Sequence, residues 1–119
     1  VIAHLDHLKR YSMAYHGPYS PAAYADEIDS ILKAIVRSNM ALEINASGFR
    51  QSFQEPFPGP GTVRRFVELG GKHITLASDS HSITAFDVGM KESVKIAREA
   101  GLAEASYFTS RQRRAVPLV

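Results

Sequence analysis

At 119 residues the chain is sized for a single domain, one able to bury roughly two-thirds of its unfolded surface. A formal charge of +2 is too mild to imply nucleic acid, no apolar run approaches the roughly 20 residues of a membrane span, and the absence of cysteine rules out disulfides and thiolate metal sites. No basic-then-apolar leader opens the chain, so a cytoplasmic location is expected, with neither nucleic acid nor membrane as a partner.

Val1-Ile2-Ala3 reads as the end of a buried strand. With no initiator methionine ahead of it, an amino-terminal half is expected to be missing. His4-Leu5-Asp6-His7 then stands at the strand's carboxyl end. Residues 9–19 mix charge, aromatics and Gly17-Pro18, which predicts a loop or short helix. Ser20 as N-cap and Pro21 at the first helical position open the clearest helix. Its apolar stripe is Tyr24, Ile28, Ile31, Leu32, Ile35 and Val36, and its acids (Asp26, Glu27, Asp29) precede its bases (Lys33, Arg37) as the helix dipole favours. Asn39 can close it.

Residues 41–44 predict the next strand, followed by a small-residue loop over residues 45–50. Pro56-Phe57-Pro58-Gly59-Pro60-Gly61 is an ordered connector that no element can cross. Residues 62–69 predict a second helix burying Val63, Phe66 and Val67 and stopping at Gly70-Gly71. Residues 74–77 form a β-branched, apolar strand that ends abruptly in Ser78-Asp79-Ser80-His81. Thr84-Ala85-Phe86-Asp87 resembles a capping box, so a third helix starts near there, within about a turn, with Phe86, Met90, Val94, Ala97 and Gly101 on one face. Residues 105–108 predict a last strand, and residues 111–119 a basic tail.

Alternating strands and helices predict an α/β fold with a parallel sheet and right-handed crossovers. Ligands of such sheets gather at the carboxyl ends of strands, and His4, Asn45, Asp79 and His81 all follow strands at that pole. If extended geometry continues, Asp79 and His81 leave one face roughly 6.5–7 Å apart. An oxygen donor beside a nitrogen donor suits zinc, iron or manganese. Alone, His4 reads as a structural histidine and Asp79 as a turn cap; their shared pole is what favours a metal. His7 is assigned a supporting role and His16 the surface, while His73 precedes its strand and lies at the opposite pole. Arg10 and Arg50 follow strands beside the same pocket, where a guanidinium fork suits phosphate. Arg64, Arg65, Arg111, Arg113 and Arg114 read as solvated. Gly48, Gly59 and Gly61 make no P-loop, and no Gly-x-Ser-x-Gly elbow is present.

Three motifs resemble, in this order, the carboxyl-terminal half of PHP-family histidinol-phosphatases. They are His4-Leu5-Asp6, Leu42-Glu43-Ile44-Asn45-x-Ser47-Gly48-Phe49-Arg50 and Ser78-Asp79-Ser80-His81, and the Tyr107-Phe108 to Pro117-Leu118 ending fits the family's tail. The resemblance implies that residues 1–119 are the carboxyl-terminal part of a single PHP domain, about half of a distorted (β/α)7 barrel. It implies a trinuclear cluster of zinc, iron or manganese, with His4, Asp79 and His81 each serving a different ion. Arg10 and Arg50 would grip the phosphate of a small substrate. A metal-bridging hydroxide would attack phosphorus, which makes Asp79 and His81 the catalytic residues here. The implied reaction is hydrolysis of histidinol phosphate to histidinol and phosphate, in histidine biosynthesis.

Ala3 stands where the family has glycine and Ser80 where it has alanine. The family's His-x-His and Thr-Asp-His elements, its bridging glutamate and its middle histidine have no counterpart. With about 250 residues typical of an eight-unit barrel, the chain would supply roughly half of one. Such a fragment is expected to be inactive alone, poorly metallated and prone to self-association through exposed strand edges. Two alternatives stand beside this reading. One is a PHP phosphoesterase for another monoester (a nucleotide, a sugar phosphate or a phosphotyrosine); the other is a non-catalytic interaction domain retaining a degenerate PHP half.

Overall fold

The computed structural model describes every residue from Val1 to Val119. At its centre two short parallel strands pair in register: β1 (Leu42–Asn45) and β2 (Ile74–Ala77), with Leu42 opposite Ile74 and Asn45 opposite Ala77. Ile2 adds one parallel bridge to Leu42 along the other edge of β1. Around this pair lie helices α1 (Leu8–Tyr15), α2 (Ala25–Arg37), α3 (Pro60–Glu68) and α4 (Met90–Glu99). The core joins Leu32 and Ile35 of α2, Leu42 and Ile44 of β1, Val63 and Phe66 of α3, Ile74 of β2 and Ala97 of α4. Removal of these side chains from water is the main force holding the layers together.

Three of the four helices end in the same way, and the ending is local chemistry. Asn39, Gly70 and Gly101 adopt left-handed φ values of 50°, 92° and 98° just past α2, α3 and α4. In each case that residue's N–H and the next one's reach back, to Val36 and Ile35, to Val67 and Phe66, and to Arg98 and Ala97. This is the Schellman arrangement, which satisfies carbonyls the helix leaves orphaned. The helix starts shift more. Ser20 is extended and makes no side-chain cap bond; Pro21–Tyr24 form a tight 3-10 turn, and α2 begins at Ala25 with Asp26 and Glu27 in its first turn. Tyr24 and Ile31, at the margin of the expected stripe, are exposed. Helix α3 starts with Pro60 at its first position. Helix α4 starts at Met90, because Ile83–Ala85 form a separate 3-10 turn and Gly89 takes a left-handed φ of 79°.

The expected run of parallel strand-helix units, about half of a (β/α)7 barrel, is not what forms. The chain makes two separate two-stranded sheets, β1–β2 parallel and a second one antiparallel. The second is a hairpin of β3 (Glu104–Thr109) and β4 (Gln112–Pro117), with Tyr107 opposite Arg114. Residues 112–117, read as tail, are therefore a strand. The cause is the turn: Ser110 and Arg111 both have positive φ, 49° and 65°, as a two-residue type I′ hairpin requires. Strand β3 hydrogen-bonds to β4 across this turn and is not part of the parallel pair. His73, at the amino end of β2, meets Arg113 of β4; burial and then that positive charge push its pKa below 6.5.

Arg65 of α3 clamps Asp29 of α2 through Nε to Oδ1 (2.8 Å) and Nη2 to Oδ2 (2.6 Å). These bonds hold the Asp29 carboxyl below its ordinary value of 3.8. A carboxylate with a depressed folded pKa stabilises above its unfolded value and loses that contribution as pH falls through the folded one. Asp29→Asn should therefore flatten stability against pH below about pH 4 in urea titrations. A second test concerns Gly71, where an added Cβ would lie 2.5 Å from the fully buried Phe66 ring. Gly71→Ala should cost about 1–3 kcal/mol, and clearly less once Phe66→Ala has emptied the space. Equal costs in the two backgrounds would show that the ring is not the obstacle.

Candidate functional site

Asn45 ends β1 and meets His4, in the segment after Ile2, while Asp79 follows the carboxyl end of the parallel neighbour β2. Glu43 and Asn45 are two apart on β1 and so share a face. His4 Nε2 lies 3.2 Å from Asn45 Nδ2 and 3.7 Å from Glu43 Oε1. Asn45 Nδ2 also donates to Glu43 Oε1 at 3.0 Å. His4 packs edge-on against His7 (5.2 Å between ring centres), and His7 packs edge-on against Phe57 at 4.9 Å. Burial pushes the His7 pKa below 6.5, the charges of His4 and Arg10 add to that, and Asp79 and Asp6 oppose it. His7 thus shares the field of this cluster.

His4 and Asp79 both hold left-handed backbone, with φ of 55° and 50°. Non-glycine residues rarely adopt this conformation, and where they do the surroundings enforce it. It turns the chain sharply after each strand, so Asp79 and His81 do not continue the extended geometry assumed from sequence. They remain neighbours, His81 Nε2 lying 3.8 Å from Asp79 Oδ1, while the His81 side chain is 93% exposed.

The two arginines differ. Arg50 is already engaged: Nη1 and Nη2 donate to the Ser78 carbonyl at 3.2 and 3.1 Å, and Nη2 donates to the Asp79 carbonyl at 2.8 Å. It clamps the loop that carries Asp79. Arg10, on α1, is exposed and its guanidinium has no side-chain partner.

Sequence reasoning missed the buried pair beside this cluster. Asp6 and Lys9 are 5% and 4% exposed, with Lys9 Nζ 3.2 Å from Asp6 Oδ2. Lys9 also donates to the Pro56 carbonyl at 2.5 Å and lies over the rings of Phe57 and Phe53. Their spacing of three on the turn into α1 was visible, but nothing local says that the pair is buried. A cleft of about 520 Å³ opens beside the pair, between α1, α2 and α3, and His4, Asn45, Asp79 and His81 do not line it.

The donor set was tested against a metal ion. No three His, Asp or Glu side chains come together to hold one. The donors meet only in twos, His4 with Glu43 and Asp79 with His81, whereas a structural or catalytic zinc takes at least three protein ligands. His4 Nε2, the nitrogen facing the cluster, is held by the Asn45 amide. This chain's own residues therefore do not fit a complete metal centre, and no reaction step is assigned through one.

The buried pair makes a stability prediction. Lys9→Ala would leave the Asp6 carboxylate buried without its cation and should cost about 3–5 kcal/mol in chemical denaturation. The double change Asp6→Asn with Lys9→Met should recover much of that loss. A double variant no more stable than the single one would remove the pair from its central place.

No family model matches the chain. It is 31% identical over 103 residues to a probable histidinol-phosphatase of Clostridium acetobutylicum, a match covering 85% of this chain and 39% of that protein. It is 35% identical over 92 residues to a probable histidinol-phosphatase of Thermotoga maritima, covering 76% and 36%. A histidinol-phosphatase of Lactococcus lactis matches at 32% over 111 residues, covering 89% and 39%. Among solved structures, the crystal structure of the histidinol phosphate phosphatase of Lactococcus lactis, in complex with zinc, L-histidinol and phosphate, superposes with a TM-score of 0.66. That match has 25% identity and covers 81% of this chain and 36% of that one. The chain thus spans less than two-fifths of the length of the proteins it matches, and over that stretch it is a homologue of the PHP-family histidinol-phosphatases.

Proposed function

We propose that this chain contributes one part of the active site of a PHP-type phosphate-monoester hydrolase, with histidinol phosphate as the first substrate to test. In this reading it is the carboxyl-terminal part of a single PHP domain, which the order of its three motifs supports. The observation that carries the reading is the contact of His4 with Asn45 at the carboxyl end of β1, with Asp79 following the parallel neighbour β2, in a chain 31–35% identical to histidinol-phosphatases. In this reading His4, Asp79 and His81 are donors toward divalent metals (zinc, iron or manganese), and Asp79 and His81 are the catalytic residues. The zinc and phosphate held by the solved relative support that assignment. The remaining metal ligands come from outside the chain, since no three of its own donors converge. Arg10, with its guanidinium free, binds substrate phosphate. Arg50 first holds the Asp79 loop through the Ser78 and Asp79 carbonyls and turns any remaining donors toward phosphate.

The same geometry favours a second reading, a non-catalytic PHP interaction domain, because paired donors do not make a metal centre. One experiment separates the two. The chain alone should release phosphate from histidinol phosphate only at background. A chimera in which it replaces the matched stretch of the Lactococcus lactis enzyme should turn over with zinc supplied. In that chimera Asp79→Asn should lower kcat by more than about tenfold. Arg10→Ala should raise KM by about 10- to 100-fold, the value of a charge-assisted hydrogen bond. A folded, zinc-loaded chimera that prefers a nucleotide, sugar phosphate or phosphotyrosine keeps the reaction and changes the substrate. One with no activity on any of these leaves the non-catalytic reading.

A further inference from the structure

The Asn45 side chain has both of its ends assigned by its neighbours, and the assignment propagates to His4. A carboxamide carries one acceptor end and one donor end, and the two look alike unless a neighbour distinguishes them. Here the backbone N–H of Ser47, which can only donate, lies 2.9 Å from Asn45 Oδ1, and the Ser47 hydroxyl lies 2.6 Å from the same atom. The oxygen is therefore on the Ser47 side. The amide NH2 must face the other way, where Glu43 Oε1 at 3.0 Å takes one hydrogen and His4 Nε2 at 3.2 Å is in line for the other. Asn45 cannot rotate out of this arrangement freely. It is 1% exposed, and its backbone exchanges two hydrogen bonds with Phe57, at 2.8 and 3.0 Å.

We propose that Asn45 is a positioning residue that locks neutral His4 in the Nδ1–H tautomer, leaving its Nε2 lone pair as the acceptor. An N–H facing another N–H would cost both bonds, whereas a bare Nε2 receives the Asn45 hydrogen. Glu43 pulls the other way: a carboxylate 3.7 Å from Nε2 would select the Nε2–H tautomer if it accepted directly from the ring. Asn45 is closer to both groups than they are to each other, and it prevails by standing between them. Whatever else meets His4 from this side, a proton donor or an electrophile, has to displace the Asn45 amide to reach the lone pair. The inference concerns the chain as it stands and does not depend on the proposed hydrolase reading.

The test is the imidazole long-range 1H–15N correlation spectrum of the 15N-labelled chain, recorded at a pH where the ring is neutral, with His4 assigned from a His4→Gln spectrum. The expected result is a pyridine-type nitrogen at Nε2 and a protonated Nδ1. Asn45→Leu, which keeps the size but removes the donor, should leave the ring to Glu43 and reverse the pattern to Nε2–H. Ser47→Ala keeps the backbone N–H that orients the amide and should leave it unchanged. An Nε2–H tautomer in the unaltered chain would overturn the proposal outright and give control to Glu43. A tautomer that stays Nδ1–H in Asn45→Leu would overturn it as well, since Asn45 would then not be the selector.

Discussion

Lys9 is the charge around which the functional half of this structure is arranged. Taking an ammonium out of water costs several kcal/mol, so a lysine is buried only where its surroundings replace the lost hydration. Here they do so from three directions: the Asp6 carboxylate, the Pro56 carbonyl and the faces of Phe53 and Phe57. Asp6 Oδ2 is tied in turn to the Gly59 N–H at 3.0 Å. The pair thus pins the proline-rich connector against the start of α1, although the two are some fifty residues apart in the chain. Phe57 of that connector then exchanges its backbone bonds with Asn45. Through this relay a buried ion pair sets where the end of β1 lies relative to His4.

The donors around the strand ends form two couples, His4 with Glu43 and Asp79 with His81, and two local devices shape the turns that carry them. Left-handed backbone at His4 and Asp79 turns both residues sharply away from their strands. Arg50 then fixes the second turn by gripping its carbonyls, so the loop bearing Asp79 is braced from β1 across to β2. A chain that matches less than two-fifths of its relatives' length can carry such half-built couples without contradiction. Their completion is a property of whatever faces them.

Local signals were readable in the sequence and partnerships were not. Asn39, Gly70 and Gly101 marked three helix ends correctly, because a left-handed residue past the last turn is written in the residue type itself. Strands β1 and β2 were legible from their apolar runs, and the expectation that His4, Asn45, Asp79 and His81 follow strands at one pole rested on them. The barrel expectation failed because alternation of elements does not say which strand hydrogen-bonds to which. The Ser110-Arg111 turn lacks the glycine or asparagine that would have announced a hairpin. In the site, nothing in the sequence shows that Arg50 also holds the Ser78 and Asp79 carbonyls, or that Glu43 and Lys9 stand beside His4 and Asp6. Each of those depends on a segment 28 to 47 residues away, or on burial, and neither can be read off a window of sequence.

Both hairpin strands have a partner on one edge only, and β4 is the one with exposed residues along its whole length. An open row of backbone donors and acceptors is a template onto which a second chain can be added, and natural proteins guard such rows with charge. Here Arg113 and Arg114 sit within that strand, with Arg111 in the turn that opens it. Arginines that looked like undistinguished surface residues in the sequence therefore stand as a fence: two copies approaching edge to edge would bring like charges together before any ladder bond could form.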